Sequence, residues 1–404
     1  MFALIFVRMN TTGSLIRGSA YRKFIPGHVP EIVLFFIWIF VQGMVFYQFG
    51  VVTDFEAKKY INEAGNLLKN GAVSSPNFWL YSIQIFLIAV ATKLKAGFLS
   101  VVIFQLAFNA LATYTFFRFI SGISDRMTAS ILTLFFICNY PLQTLNTSLQ
   151  TESLFYSFTL LFSCYLLHLK ELTLKNSVFI LLFIILISFT RPTGLFFIPA
   201  TVLYIVFRFF PHFSILSKLF IIAISCIGFL YFLNIAIGSG GEFDFMLPFR
   251  DENIICGVPS IPYDKDIKIS SNPNSLYGLL YYVTHNFDQF VRLAWLRSKA
   301  FFGLFRSYYS FGHNLYLGFY FLPFYFLLVL SVRYWIKRNK YLLLYCLSLI
   351  LITWGSVILT CDDWHNRFYL SIVPYIYILS VPSVQRLVMK FSNKNKNKSN
   401  SHRK

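Results

Sequence analysis

Continuous apolar runs recur along the chain at 31–50, 98–117, 128–146, 153–168, 176–190, 192–207, 217–237, 315–332, 341–360 and 368–388, with short polar or basic connectors between them. Barrel strands would show short stretches of alternating polarity, whereas these runs are unbroken and predict helices. Crossing hydrocarbon takes about 20 apolar residues. The pattern therefore predicts an all-α fold, a polytopic membrane helical bundle of about ten crossings. One more apolar stretch, FWLYSIQIFLIAVAT (78–92), is short and is followed by Lys93 and Lys95; it is expected to lie on the membrane surface.

Charge decides that last point. With 78–92 on the surface, 21 Lys and Arg fall on one side of the membrane against 3 acids, Glu31, Asp125 and Glu171. The other side carries 14 basic residues against 13 acids. Basic connectors stay cytoplasmic, so this arrangement puts both termini inside. It puts loop 51–97, Glu152, Arg191, the segment 238–314 and the connector CDDWHNR (361–367) outside together. A crossing at 78–92 would reverse every later connector and break the rule.

The units that follow are a cytoplasmic lead-in (1–30), a transmembrane module with its outer loop (31–237), an outer segment (238–314), C-terminal transmembrane helices (315–390) and a basic tail (391–404) read as disordered. Composition agrees, with 57% hydrophobic, 20% aromatic and only 13% charged residues, against about 25% charged in ordinary soluble chains. A net charge of +19 spread over connectors and ends, without a basic aromatic-studded domain, excludes a nucleic-acid reading. No glycine-rich phosphate loop is present, which argues against ATP hydrolysis. Cys256 and Cys361 both fall outside and could pair; no Cys/His set has zinc spacing.

Candidate chemistry lies on the outer side. Asp54 follows the first run directly, and a carboxylate beside hydrocarbon is costly unless it serves a purpose. After it, Tyr60, Ile61, Ala64, Leu67 and Leu68 recur at helical spacing, predicting an amphipathic interfacial helix over 56–70 that ends at Gly71. Glu152 opens a later run, where the helix dipole favours an acid. Arg191, in SFTRPTGLFF, joins two apolar runs with no polar loop; a guanidinium there suits a lipid-linked phosphate. In the last outer turn Arg367 is a second phosphate clamp, His365 a candidate donor or acid–base group, and Asp362 and Asp363 could orient Arg367. The stretch 290–311, with Arg292, Trp295, Arg297, Lys299 and Arg306 among apolar residues, predicts a helix lying on the outer leaflet.

Several of these features occur together in one enzyme class. The acid after the first span in a D-x5-Y context (Asp54, Tyr60), the EAGNLLKNG rhythm, the surface helix, Glu152 in TSLQTESLF, R-P-x-G at 191–194 and an R-F/Y-x5-P run from Arg367 to Pro374 resemble the polytopic GT-C glycosyltransferases. That class includes bacterial lipid A aminoarabinose transferases, protein O-mannosyltransferases and GPI mannosyltransferases. The resemblance implies a bundle with a membrane-facing cavity and Asp54 as general base. It implies as partners a polyprenyl-phosphate-linked donor sugar, hexose or mannose in type, a glycolipid or glycan acceptor, and membrane lipids. Tyr60, Glu152, Arg191, His365 and Arg367 would bind substrate, and a divalent metal stays open as a cofactor. The chemistry is coherent, because a partly desolvated carboxylate can take the acceptor proton and arginines can stabilise the leaving phosphate. A single displacement of this kind inverts the sugar. Compact length and Phe/Ile/Lys/Asn-rich usage favour a bacterial inner membrane. A lipid-linked oligosaccharide flippase, a surface-polysaccharide polymerase and a membrane scaffold are the rival readings.

Overall fold

The computed structural model describes residues 29–238, 244–258, 267–363 and 365–401. The lead-in before Val29, Trp364, the end of the tail and parts of the 238–314 segment lie outside them. Among the described residues the chain is helical, with no strand beyond two isolated bridges. Helix α1 (Val29–Phe49) is followed by α2 (Glu56–Asn70) and, after a 3-10 turn, by α3 (Ser82–Lys93). Then come α4 (Phe98–Ile123), α5 (Arg126–Ile137), α6 (Glu152–His168), α7 (Leu174–Thr190), α8 (Phe197–Phe209) and α9 (Ile215–Gly238). The outer segment holds α10 (Leu276–His285) and α11 (Phe287–Gly303), and the bundle closes with α12 (Phe311–Arg338), α13 (Lys340–Ile358) and α14 (Arg367–Ser401).

Every expected crossing contains a helix, but α5 covers only the first part of 128–146, which continues as two short turns from Tyr140 to Thr147. Seven helices among the described residues are long and apolar enough to span a membrane; α5 and α7 are shorter apolar helices. No residue from Ile215 to Ile235 is buried, and α1 exposes Phe35, Phe36 and Phe40. Apolar surface on that scale belongs in lipid, so the chain is a multi-spanning membrane protein. Helix α3, at 12 residues, extends only about 18 Å and packs against α2 and α4 in a small core of its own around Tyr60, Ile85 and Val102.

Helix α6 is the centre of the bundle, with every residue from Glu152 to Leu166 buried. Its Ser153, Ser157, Thr159 and Ser163 are buried along with its apolar residues, and α4 and α7 cover it. Helices α6 and α7 are both 17 residues long and antiparallel through a short connector. Equal lengths return Arg191 to the level of Glu152. There the chain turns tightly through Pro192, and a Cβ on Gly194 would lie 2.4 Å from the Ile187 carbonyl oxygen; only glycine fits.

The outer segment is tied down at several points. Phe245, Met246, Phe249, Tyr282 and Leu293 form its core with Ile237. A disulfide joins Cys256 to Cys361, with Cα atoms 5.3 Å apart. Asp362 exchanges backbone hydrogen bonds with this segment, donating to Ile254 (2.9 Å) and accepting from Cys256 (2.8 Å). Helix α11 does not match the lipid-facing expectation throughout. Trp295 is exposed, but Arg297 and Arg306 are fully buried. The Arg297 guanidinium donates to the carbonyls of Asn253, Ile358 and Pro248 at 2.8–3.0 Å, over the Phe249 ring at 4.7 Å. Amphipathic spacing cannot separate an arginine facing headgroups from one facing backbone carbonyls. The tail also departs from expectation, since helical backbone continues to Ser401; its Asn and Lys residues do not break a helix already started.

Removing Arg297 leaves the Asn253 and Ile358 carbonyls short of a donor, each costing about 1–3 kcal/mol when buried, while the Pro248 carbonyl keeps the Asn253 N–H at 2.9 Å. Arg297→Ala should therefore lose about 2–6 kcal/mol of stability, visible as a lowered unfolding temperature in detergent. An unchanged melting curve would show that this anchor is dispensable.

Candidate functional site

Four separate connectors meet at one end of the bundle, around Glu152. Its carboxylate is wholly buried and lies between two guanidinium groups, Arg191, which donates through Nη1, and Arg367, whose Nη1 is 2.7 Å away. Arg367 is 6% exposed and serves two further acids. Its fork is bidentate to Glu56, Nη1 to Oε2 at 2.6 Å and Nη2 to Oε1 at 2.9 Å, and Nη2 also donates to Asp363 Oδ2 at 2.6 Å. Arg367 Nε is buried and has no partner among the described residues. Two guanidiniums thus share three carboxylates. Buried charges are tolerated only when paired this closely.

Local structure aims each group. Asp363 accepts from the backbone N–H groups of His365 (2.9 Å) and Arg367 (3.4 Å) as well as from the Arg367 side chain, so it caps α14 and orients the guanidinium, as expected. Tyr156 donates to the Arg367 carbonyl at 2.7 Å, and Arg191 lies 5.5 Å over the Phe368 ring. Asp362 does not take part; it pairs with Arg306 at 2.5 Å, and Arg306 also binds the Asp363 carbonyl and Asn366. The turn leading into Arg367 is therefore held from behind. Across the site, Val52 and residues 147–149 exchange backbone hydrogen bonds of 3.0 Å, fixing the first loop beside Glu152.

Burial and charge set the titrations. Burial pushes the Glu56 carboxyl up, but the hydrogen bonds and charge of Arg367 outweigh it and leave Glu56 below its ordinary value. Asp363 is lowered in the same way, against its own burial. Burial dominates at Asp362, raising it to about 6 despite Arg306. Tyr60 is almost fully buried, its ring 5.4 Å from that of Tyr81; burial first, then the charges of Tyr81, Glu56 and Glu152, push its phenol up.

Of the residues singled out in the sequence, Glu152, Arg191, Arg367 and Asp363 come together, with Tyr60 buried beside them. Asp54 does not join them. Its side chain is 66% exposed and pairs with Lys58 at 3.0 Å. The cause is Phe55, which holds φ 59° and ψ −130°, a non-glycine conformation costing about 1–3 kcal/mol; Asp54 is left outside the helix while Glu56 opens it. The helical register held the signal, since Glu56 is one turn before Tyr60 and shares the face of Ala57, Tyr60 and Ala64 that is buried. His365 is exposed at the rim of the site.

About two turns along α6 from Glu152, an apolar cavity of about 240 Å³ is lined by Leu87, Phe108, Phe158, Leu161, Phe183 and Leu186. A metal does not fit these acids. Among the described residues no three His, Cys, Asp or Glu side chains are grouped to hold one, and the site carboxylates converge on guanidinium nitrogens. No protein-family model, curated protein or solved structure matches this chain.

Two measurements follow. Glu152→Gln leaves buried Arg191 without its carboxylate, while Arg367 keeps Glu56 and Asp363; it should cost about 3–5 kcal/mol, read as lost thermal stability, and a loss below about 1 kcal/mol would mean Arg191 finds another partner. For pH, the raised Asp362 contributes stability at low pH that is lost as pH rises through about 6. The depressed Glu56 and Asp363 contribute stability above their ordinary values, 4.5 and 3.8, that is lost as pH falls below them. Melting temperature should peak near pH 5, and a monotonic profile would contradict these assignments.

Proposed function

We propose that this chain is a membrane glycosyltransferase of the GT-C type, moving a hexose or mannose-type sugar from a polyprenyl-phosphate donor to a glycolipid or glycan acceptor. The observation that supports it most is the Arg367 fork, buried where four connectors meet, with Arg191 on the other side of Glu152. A lipid phosphate reaches a protein from the bilayer, so its receptor needs guanidinium groups at helix ends, level with the interface. The apolar cavity beneath suits the first isoprene units. In this reading ten helices cross, all but α2, α3, α10 and α11, with α5 gaining depth from the turns through Thr147. Both termini are cytoplasmic, the site faces outward, and the membrane is a bacterial inner membrane.

The reaction needs little else. The acceptor hydroxyl attacks the anomeric carbon and the bond to phosphate oxygen breaks. The phosphate passes from one negative charge to two, which Arg191 and Arg367 stabilise. The proton released from the acceptor goes to a carboxylate of the first loop, and the anomeric centre inverts. We assign that carboxylate to Glu56, since it lies in the cluster and Asp54 faces away. A flippase would place ionisable groups at mid-membrane; among the described residues, no spanning helix carries a buried charge away from its ends.

Sugar transfer by the purified protein in vesicles tests the assignment. Glu56→Gln should slow transfer by about 10²–10⁴-fold, and Asp54→Asn should act within a few-fold of wild type. The reverse pattern would return the base to Asp54, and a wild-type protein that transfers no sugar from any polyprenyl-phosphate donor would refute the enzymatic reading.

A further inference from the structure

We propose that Glu56 is a built-in stand-in for the donor phosphate: it occupies the Arg367 fork in the donor-free protein, and the phosphate displaces it on binding. The inference rests on the glycosyl-transfer reading above and adds to it how the site is kept closed and how its base is released.

The three acids on Arg367 are not equivalent. Glu152 has no exposed side-chain surface and Asp363 has 6%, whereas Glu56 retains 36%. The first two belong to the interior and fix the guanidinium from behind. Glu56 alone approaches from the open side, and it does so through both terminal nitrogens. Two oxygens presented in the guanidinium plane are also what a phosphodiester offers, so one ligand can replace the other at the same fork. The exchange conserves charge, a monoanionic carboxylate leaving as a monoanionic phosphodiester arrives. Arg367 Nε, buried and unpartnered among the described residues, offers an additional donor that the carboxylate does not use.

The first loop is built to let go. Phe55, immediately before Glu56, is held at φ 59°, a region that non-glycine residues seldom occupy, and relaxing it swings the first residue of α2. Upstream, Val52 stays pinned by its backbone hydrogen bonds with Thr147 and Leu149, so the swing is confined to the residues between Val52 and Ala57. The rest of α2 stays docked through Ala57, Tyr60 and Ala64 and through Glu63, which accepts from the Ser74 backbone N–H and hydroxyl at 2.7 Å. A small movement therefore suffices.

Displacement also completes the chemistry. While paired with Arg367, the Glu56 carboxylate is a weak base. Once the phosphate takes that guanidinium, Glu56 remains half-buried without its cation and beside an anion, conditions that favour proton uptake. It then accepts the acceptor's proton as the sugar–phosphate bond breaks. Carboxylate and phosphodiester start with one negative charge each; neutral carboxylic acid and dianionic phosphomonoester end the step, so the total is unchanged. The base is thus active only when donor is bound, which guards the site against idle ionisation changes.

The test is binding, with the full-length protein in nanodiscs and undecaprenyl phosphate as the lipid probe, and inorganic phosphate as the free-anion probe. A competing internal ligand lowers apparent affinity in proportion to the closed population. Glu56→Gln should therefore bind undecaprenyl phosphate about tenfold more tightly than wild type while transferring sugar far more slowly. Glu56→Asp, too short to reach the fork, should also bind more tightly, and Arg367→Ala should not bind. Inorganic phosphate binding should tighten in the same order, more weakly throughout if the isoprenoid contributes. Wild-type binding with both Glu56 variants equal or weaker would overturn the exchange and leave the glycosyl-transfer reading standing. No binding of the lipid probe by wild type or either Glu56 variant would overturn both.

Discussion

A carboxylate at the head of the most buried helix cannot stay charged without cations, and that requirement organises one whole end of the molecule. Glu152 begins α6, whose next four turns are enclosed on every side. Its two guanidinium partners come from the turn after α7 and from the start of α14. Through Arg367 the same cluster reaches Glu56, 311 positions away in the chain. Apolar packing could assemble these helices in more than one register, because hydrocarbon contacts are not directional. Charged hydrogen bonds are, and breaking one partner of a buried pair costs several times a surface ion pair. The network fixes which helix ends coincide more than it adds to total stability.

The two sides of that network differ in stiffness. Behind Arg367, the turn 361–366 is held by the disulfide, by backbone pairing with residues 254–256, and by Arg306 on Asp362, the Asp363 carbonyl and Asn366. Arg297 then pins the supporting segment to the end of α13. In front, the first loop meets the site through one half-exposed glutamate behind a strained phenylalanine. A rigid cation facing a releasable anion is the arrangement expected where a ligand must enter. Rigid groups on both faces would make a structural knot instead.

Much of this was legible in the residues, for identifiable reasons. Apolar runs mark helices because lipid demands continuous internal hydrogen bonding, and each expected run holds one, although 128–146 breaks after Ile137. Charge asymmetry grouped the connectors that do converge. Glu152, Arg191 and Arg367 stood out because ionisable groups at breaks in apolar runs need a reason. Asp54 and Glu56 were harder to separate, since they differ by two positions and only the positive φ of Phe55 decides which faces inward. Helical phase pointed to Glu56 through Tyr60. Arg297 and Arg306 gave no such clue, because their partners are carbonyls and side chains brought close by tertiary folding, and an amphipathic pattern reads the same for either environment.

The Cys256–Cys361 bridge has a consequence for biogenesis. Its second thiol is made 105 residues after the first, and the guanidinium that completes Glu152's neutralisation follows only six positions later. A ribosome must therefore deliver Cys361 before the covalent tie can close and Arg367 before the ionic one can. Until then α6 carries a carboxylate attended by Arg191 alone. Chains stalled or truncated ahead of α14 would keep an open thiol and a Glu152 that lacks one of its two guanidinium partners, a chemical mark that distinguishes unfinished molecules from finished ones.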